Sequence, residues 1–215
     1  ADINNALLAI SSNNSGSSAP STNYASQFFA NTSASMMQLN NTSGNAFINL
    51  FTLAGAPAFP LDGTINSINI GKGTNSVSGN TVLGEGALDA TVSGGNNTAI
   101  GKDALTTLTS GTNNVAVGSE SLDANTTGSK NTAIGHQSLS ANNTGTDNSA
   151  VGAFSLLANT TGSNNIAFGQ GSLEANTTGG SNTALGLGAL KTNTTASDNT
   201  AVGKSALTLN TTGTF

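Results

Sequence analysis

The segment Asn131-Thr132-Ala133-Ile134-Gly135 decides the fold, because its pattern returns at a constant interval through most of the chain. Its glycine recurs every seventeenth position, without an insertion or a deletion: Gly84, Gly101, Gly118, Gly135, Gly152, Gly169, Gly186 and Gly203. Four residues before it the residue is always Asn: Asn80, Asn97, Asn114, Asn131, Asn148, Asn165, Asn182 and Asn199. Four residues after it the residue is always Leu: Leu88, Leu105, Leu122, Leu139, Leu156, Leu173, Leu190 and Leu207. Such self-similarity predicts stacked structural repeats.

Each repeat is too short for a helix with its turns and long enough for one flattened coil. It contains two turn signals, the glycine and a later segment such as Asn125-Thr126-Thr127-Gly128, which leaves room for two strands of about four residues. Coils stacked at about 4.8 Å would form a rod of roughly 40 Å, with the recurring Asn side chains in a ladder. We interpret Ile68-Asn69-Ile70-Gly71 as a degenerate ninth copy, in which the step to Gly84 is shortened from seventeen to thirteen.

The placement of charge predicts which positions are buried. Within the eight copies, charged residues occur only one, two, five or twelve residues after the glycine, never at the Ala, aliphatic or Leu positions, which we therefore expect inside. Two large apolar side chains per coil, worth about 1.5–3 kcal/mol each, cannot offset an ordering cost of at least ~1 kcal/mol per residue. Contacts with neighbouring coils must supply the rest of the stabilising free energy. We expect the Ala found before the aliphatic residue in seven copies to pack closely against another chain.

Composition argues against several classes of protein. All five basic residues are Lys and the net charge is −5, so the chain is poorly suited to hold a nucleic-acid backbone. It has no Cys, which excludes disulfides and thiolate metal sites. No apolar run approaches the ~20 residues of a membrane span. The run Ala6–Ile10 is too short for the core of a signal peptide, so we expect any export signal to have been removed already.

Residues that could carry chemistry are isolated. His136 follows a repeat glycine in a turn, where we expect a solvated side chain and not a general base. We expect the acids to fall on separate coils and at several positions of the repeat, which argues against paired carboxylates: Glu85, Asp103, Glu120, Asp123 and Glu174. Gly203-Lys204-Ser205 lacks the first glycine of a phosphate-binding loop, where Asp198 stands. We therefore expect no enzyme, no cofactor and no metal, since the calcium-binding β-roll pattern is also missing.

The sequons at Asn125, Asn159 and Asn176 belong to the second turn signal. Their recurrence has a structural reason in a ladder of turns, so they do not predict glycosylation.

The register from Asn199 to Gly203 and its copies resembles the Asn-Ser-Val-Ala-Ile-Gly head repeats of trimeric autotransporter adhesins. The resemblance covers about residues 66–215 and implies an all-β fold, a left-handed parallel β-roll in which three chains pack side by side. The chain departs from the family in repeat length. It also usually has Thr where the family has a core Val, and only Val115 and Ile166 restore the apolar type.

Residues 1–60 resemble the short N-terminal modules of tail-fibre and related virion proteins of tailed phages. The matching stretch runs from Ala19-Pro20-Ser21-Thr22-Asn23-Tyr24-Ala25 through Gln27-Phe28-Phe29-Ala30-Asn31-Thr32 to Ala46-Phe47-Ile48-Asn49-Leu50-Phe51. Strands are expected at Met36–Leu39 and Phe47–Leu50, around a turn. Before them we expect a flexible arm at 11–18 and allow a helix over 3–10, capped by Asp2. The predicted organisation is an arm (1–18), a docking module (19–62) and a solenoid of eight to nine coils (63–215).

Together the two resemblances imply a homotrimeric tail fibre or spike of a tailed phage, exposed on the virion. Its N-terminal region would bind other virion proteins, and its solenoid would contact the host surface. A capsid decoration or head fibre and a bacterial trimeric surface adhesin are alternatives. An ice-binding solenoid is a further one, although Val115, Ser149 and Ile166 interrupt the Thr array that it needs.

Overall fold

A computed structural model describes the strands at residues 15–16, 28–31, 36–40, 47–52 and 63–65, together with residues 68–73 and 75–213. The chain divides into two compact units, residues 1–60 and 61–215. None of the described residues is helical, so the predicted all-β fold is confirmed. The possible helix at residues 3–10 lies outside the described residues.

The first unit contains a four-stranded sheet in the order β1-β2-β3-β4. Its strands are β1 (Ser15–Gly16), β2 (Phe28–Asn31), β3 (Met36–Asn40) and β4 (Phe47–Thr52). Strands β3 and β4 pair antiparallel, which confirms the predicted hairpin. Strand β2 was not predicted. The interpretation of 11–18 as a flexible arm is wrong at Ser15–Gly16, because these residues pair in parallel with Ala30 and Asn31.

The second unit is a parallel β-solenoid, as predicted from the repeat. It begins with β5 (Gly63–Ile65) and β6 (Ile68–Gly71) and continues with one short strand in each repeat: β7 (Thr81–Gly84), β8 (Thr98–Ile100), β9 (Val115–Val117), β10 (Thr132–Ile134), β11 (Ser149–Val151), β12 (Ile166–Phe168), β13 (Thr183–Leu185) and β14 (Thr200–Val202). Strands β7 to β14 pair in parallel in sequence order. Each residue is matched to its counterpart in the next repeat, as Ala133 is to Ala150.

The segment interpreted as a ninth copy does not form a parallel coil. Strand β6 pairs antiparallel with β7, with Ile70 opposite Leu83, and β5 pairs antiparallel with β6. The shortened step from Gly71 to Gly84 is insufficient for a complete coil, so the chain reverses. The β5–β6 hairpin therefore covers the N-terminal edge of the parallel sheet, where unpaired backbone groups would otherwise be exposed.

Each coil contains one strand, where the sequence predicted two. The side opposite the strand is a continuous turn segment, which still bonds from coil to coil: the N–H of Leu122 donates to the carbonyl of Ser138 at 3.1 Å, and the N–H of Ala124 donates to that of Ser140 at 3.1 Å. The cause is backbone conformation. Gln137 and Leu139 have φ of 52° and 53°, in the left-handed region, and their counterparts in other coils do the same. Two such residues so close together prevent an extended strand.

Candidate functional surfaces of the solenoid

The three sets of repeat residues singled out in the sequence come together in rows along the stack. The Leu row lies inside the coils, and Leu105, Leu122, Leu139, Leu156, Leu173 and Leu190 are fully buried. The Ala that precedes the aliphatic residue faces this row from the strand and is also buried, as Ala133 and Ala150 are. The narrow interior thus combines one large and one small apolar residue from opposite sides of each coil.

The Asn four residues before each repeat glycine forms the predicted ladder, which we call the first asparagine ladder: Asn80, Asn97, Asn114, Asn131, Asn148, Asn165, Asn182 and Asn199. All eight are buried. Asn148 shows the pattern, because both its backbone N–H and its Nδ2 donate to Oδ1 of Asn131, each at 3.1 Å. Its Nδ2 also donates to the carbonyl of Gly162 at 2.9 Å. Such buried amides are tolerated because their hydrogen bonds are made within the protein.

A second asparagine ladder runs beside the first: Asn125, Asn142, Asn159, Asn176 and Asn193, all buried. Asn159 Nδ2 donates to Oδ1 of Asn142 at 2.9 Å and to the carbonyl of Gly162 at 2.9 Å. The Gly162 carbonyl therefore accepts hydrogen bonds from both ladders. The sequence indicated only a turn for this Asn. The signal that could have revealed the ladder was the recurrence of Asn at the same position in six coils, the sixth being Asn210.

The repeat glycines, here called the corner glycines, are required by both conformation and space. Gly135 has φ of 136°, which side chains rarely adopt. A Cβ atom built on it would lie 2.7 Å from the carbonyl carbon and oxygen of Gly152 in the next coil. At Gly203, in the last coil, φ is 119° and no atom lies within 4 Å of such a Cβ. The adjacent coil therefore excludes a side chain at the inner corners.

The prediction that the aliphatic position is buried is wrong. The residue directly before each corner glycine points outward and forms what we call the outer apolar row: Leu83, Ile100, Val117, Ile134, Val151, Phe168, Leu185 and Val202. Phe168 is 46% exposed and Val202 is 68% exposed. Side chains alternate between the two faces of a strand, so an inward Ala requires an outward neighbour. The expectation that the Ala row packs against another chain is wrong for the same reason.

His136 is exposed, as expected, and its ring contacts Phe154 edge to face, with the ring centroids 5.3 Å apart. The acids are less scattered than predicted, because Glu120 and Asp123 lie in one coil. Burial raises the pKa of the Asp123 carboxyl above its ordinary value, and the nearby Glu120 carboxylate adds to the rise. Gln137 Nε2 donates to Glu120 Oε2 at 2.6 Å.

The described residues contain no group of three or more His, Cys, Asp or Glu side chains able to hold a metal ion. Among the same residues, no helix has the length and apolar character needed to cross a membrane. The features that remain are surfaces: the outer apolar row and the side of the coil that follows the corner glycines. Comparison of the chain with known family models, with curated proteins and with solved structures finds no match.

Proposed function

We propose that this chain is a non-enzymatic structural protein whose solenoid forms a rigid trimeric rod, the shaft of a tail fibre or spike on a tailed phage. The observation that carries the proposal is the outer apolar row on an uninterrupted parallel stack. Strands β7 to β14 are separated by seven steps, which at about 4.8 Å each give a sheet about 34 Å long. A rod of this kind gains length by repetition, without a globular core.

The outer apolar row is a surface that needs a partner. It carries no charged residue along its whole length, and the Thr, Val, Ser or Ile two positions earlier on each strand lies on the same outward face. With strands of three residues, the exposed strip measures on the order of 300 Å², a size typical of the largest patch on a monomer and often of an interaction site.

A second and third copy of the same chain suit this strip best. Its side chains repeat at the spacing of adjacent strands, so a surface that matches it along its whole length must have the same ~4.8 Å repeat. Another solenoid of the same sequence has that repeat and is equally free of charge there. The number three comes from the resemblance to trimeric adhesin heads, and contact of each row with two neighbours would bury it around a common axis.

The assignment to a phage particle is supported by the two-part organisation of the chain. Residues 1–60 form a compact unit of their own and resemble the N-terminal modules of virion proteins. In this proposal the first unit binds other virion proteins, and the solenoid projects and contacts the host surface. A capsid decoration and a bacterial surface adhesin use the same rod with a different attachment.

Immunogold electron microscopy separates these three locations. Antibody raised against the full chain is applied to tailed-phage particles purified from a culture that produces the protein. We expect gold on tail fibres or spikes. Gold on heads would favour the capsid decoration, whereas bare particles, with the protein recovered in an outer-membrane fraction from phage-free cells, would contradict the proposal in favour of an adhesin.

The ice-binding alternative has one structural feature in its favour, because Thr132 and its counterparts lie on the outward face. Val115, Ser149 and Ile166 interrupt that array on the same face, as the sequence indicated. We therefore expect no thermal hysteresis in a solution of the protein, and a measurable hysteresis would reopen this alternative.

A further inference from the structure

The second residue after each corner glycine forms a row along one edge of the solenoid: Gly86, Asp103, Glu120, Gln137, Phe154, Gly171, Gly188 and Ser205. All have left-handed φ, from 52° at Gln137 to 64° at Gly86 and Gly188. Side chains longer than a methyl group stand in this row from Asp103 to Phe154, but the next two coils have glycine. The row therefore contains a gap two coils long, which begins beside an aromatic ring.

This gap is a groove with a volume of about 290 Å³. It crosses three coil steps from Phe154 to Ser205, or about 14 Å at the spacing of stacked strands. Residues from the flanking rows complete its lining, and they are mostly polar: Gln170, Glu174, Leu187, Lys191 and Thr208. Its volume lies near the lower end of the range found for small-molecule sites.

The space over Gly188 is open, whereas that over Gly171 holds a carboxylate. A Cβ atom built on Gly188 would have only Ser205 Oγ within 4 Å, at 3.9 Å. One built on Gly171 would lie 2.7 Å from Glu174 Oε2. Lys191 Nζ lies 3.2 Å from the same oxygen, and both side chains remain partly exposed to solvent. An oriented carboxylate and ammonium group thus face an open cleft.

We propose that this groove binds a short oligosaccharide, and that it is where the solenoid contacts a glycan of the host surface. A sugar presents hydroxyl groups around a ring and an apolar C–H face. The Glu174 carboxylate can accept hydrogen bonds from hydroxyls, while Lys191 and the Gln170 amide can donate them. Phe154 and Leu187 offer apolar surface to the ring face. The inference rests on the proposed attachment function and names the class of its ligand.

A groove-filling substitution tests the proposal on the whole 215-residue chain. Gly188→Gln introduces the residue that already occupies this row at Gln137. Because Gln137 adopts the same left-handed backbone, the fold can accept Gln at position 188. The matched control is Gly86→Gln, in the same row with the same φ of 64° and outside the groove, where it pushes only against the side chain of Asp103. Glu174→Gln removes the carboxylate without changing the backbone.

The probe is an array of immobilised neutral hexose and N-acetylhexosamine oligosaccharides of two to four units. We expect the wild type and Gly86→Gln to bind the same oligosaccharides, and both Gly188→Gln and Glu174→Gln to lose at least tenfold in affinity. Glu174→Gln decides the matter alone if Gly188→Gln melts at a lower temperature than the wild type.

No binding by the wild type, or unchanged binding by Glu174→Gln, would overturn the proposal. Gold-labelled tails combined with an empty array would leave the proposed fibre function standing and remove the groove. Sugar binding combined with unlabelled particles would leave the groove as a sugar site and contradict the proposed fibre function.

Discussion

Asn142 Nδ2 donates a hydrogen bond to Oδ1 of Asn125 in the preceding coil at 3.0 Å, with both side chains fully buried. The same Nδ2 lies 3.1 Å from the carbonyl of Gly145, which also accepts from Asn131 Nδ2 at 2.8 Å. The interior of the solenoid is therefore partly polar, and each coil is aligned with the next by amide hydrogen bonds. A slip of one residue would leave these groups buried without partners, so the ladders specify the register.

The second asparagine ladder should stabilise the stack of coils. In Asn142→Ala, Asn125 Oδ1 loses a donor and Asn159 Nδ2 loses an acceptor that now lies at 2.9 Å. Because an unsatisfied buried polar group costs about 1–3 kcal/mol, we expect the free energy of unfolding to fall by about 3 kcal/mol. Denaturant titration followed by circular dichroism measures it.

The neighbouring Asn143→Ala is the matched control, since Asn143 is exposed. Its free energy of unfolding should change by less than ~1 kcal/mol. Equal effects of the two substitutions would mean that the second ladder does not stabilise the stack.

The corner glycines should differ in how much a side chain destabilises the fold, because adjacent coils approach most of them closely. Gly135→Ala places a Cβ against the backbone of Gly152, whereas Gly203→Ala meets no atom within 4 Å. Both substitutions have the strain of a left-handed backbone, so their difference reports the contact alone. We expect Gly135→Ala to be more destabilising by about 1–3 kcal/mol, the usual cost of overpacking. Equal melting temperatures for the two variants would argue against the tight stacking.

Asp123 should make the stability of the solenoid depend on pH. Burial raises its pKa in the folded state above the value of 3.8 expected for an unperturbed Asp. The folded chain then holds this proton more tightly than the unfolded chain, so the contribution of Asp123 to stability falls as pH rises from about 3.8 to the higher native pKa. Above that window the charged carboxylate is destabilising.

Asp123→Ser tests this, because the next coil has Ser140 at the same position of the repeat. The variant should lose this part of the pH dependence and be more stable than the wild type at neutral pH. Thermal melts from pH 3 to 8 measure both effects. A variant that is less stable at pH 7 would show that the hydrogen bonds of Asp123 outweigh its burial.

The parallel register could be predicted from sequence because a constant period leaves one way to match identical coils, each residue with its counterpart in the next repeat. The face of the strand on which each side chain lies could not be predicted from the sequence. Ala133 and Ile134 are both apolar and adjacent, so the pattern alone does not say which one points inward. The interior opposite Leu139 is narrow and holds the smaller residue of the pair, since Ala133 is fully buried whereas Ile134 is 41% exposed.

The single strand per coil was hidden for a different reason. Leucine has no preference for left-handed backbone, so nothing in the sequence marks Leu139 as a turning point, although its φ is 53°. The second asparagine ladder was missed because Asn125-Thr126-Thr127-Gly128 has the composition of an exposed turn. Its burial becomes evident only when the coils are stacked and the Gly128 carbonyl is seen to accept from Asn125 Nδ2 at 3.0 Å.

The outer apolar row should determine whether the chain is a trimer or a monomer. Val151 and Phe168 are register partners on adjacent strands, and both lie in this row. Replacing both with Lys puts two charges at a surface that the proposal buries between chains. We expect the double variant to be monomeric with an unchanged circular dichroism spectrum, because neither side chain belongs to the interior. A variant that stays trimeric would place the interface elsewhere.

Native mass spectrometry of the 215-residue chain tests the central claim most directly. If the outer apolar row is buried between three solenoids, the main species is a trimer, with three times the 21.0 kDa mass of a single chain. A stable monomer of 21.0 kDa at micromolar concentration would contradict the trimeric rod and, with it, the proposed fibre.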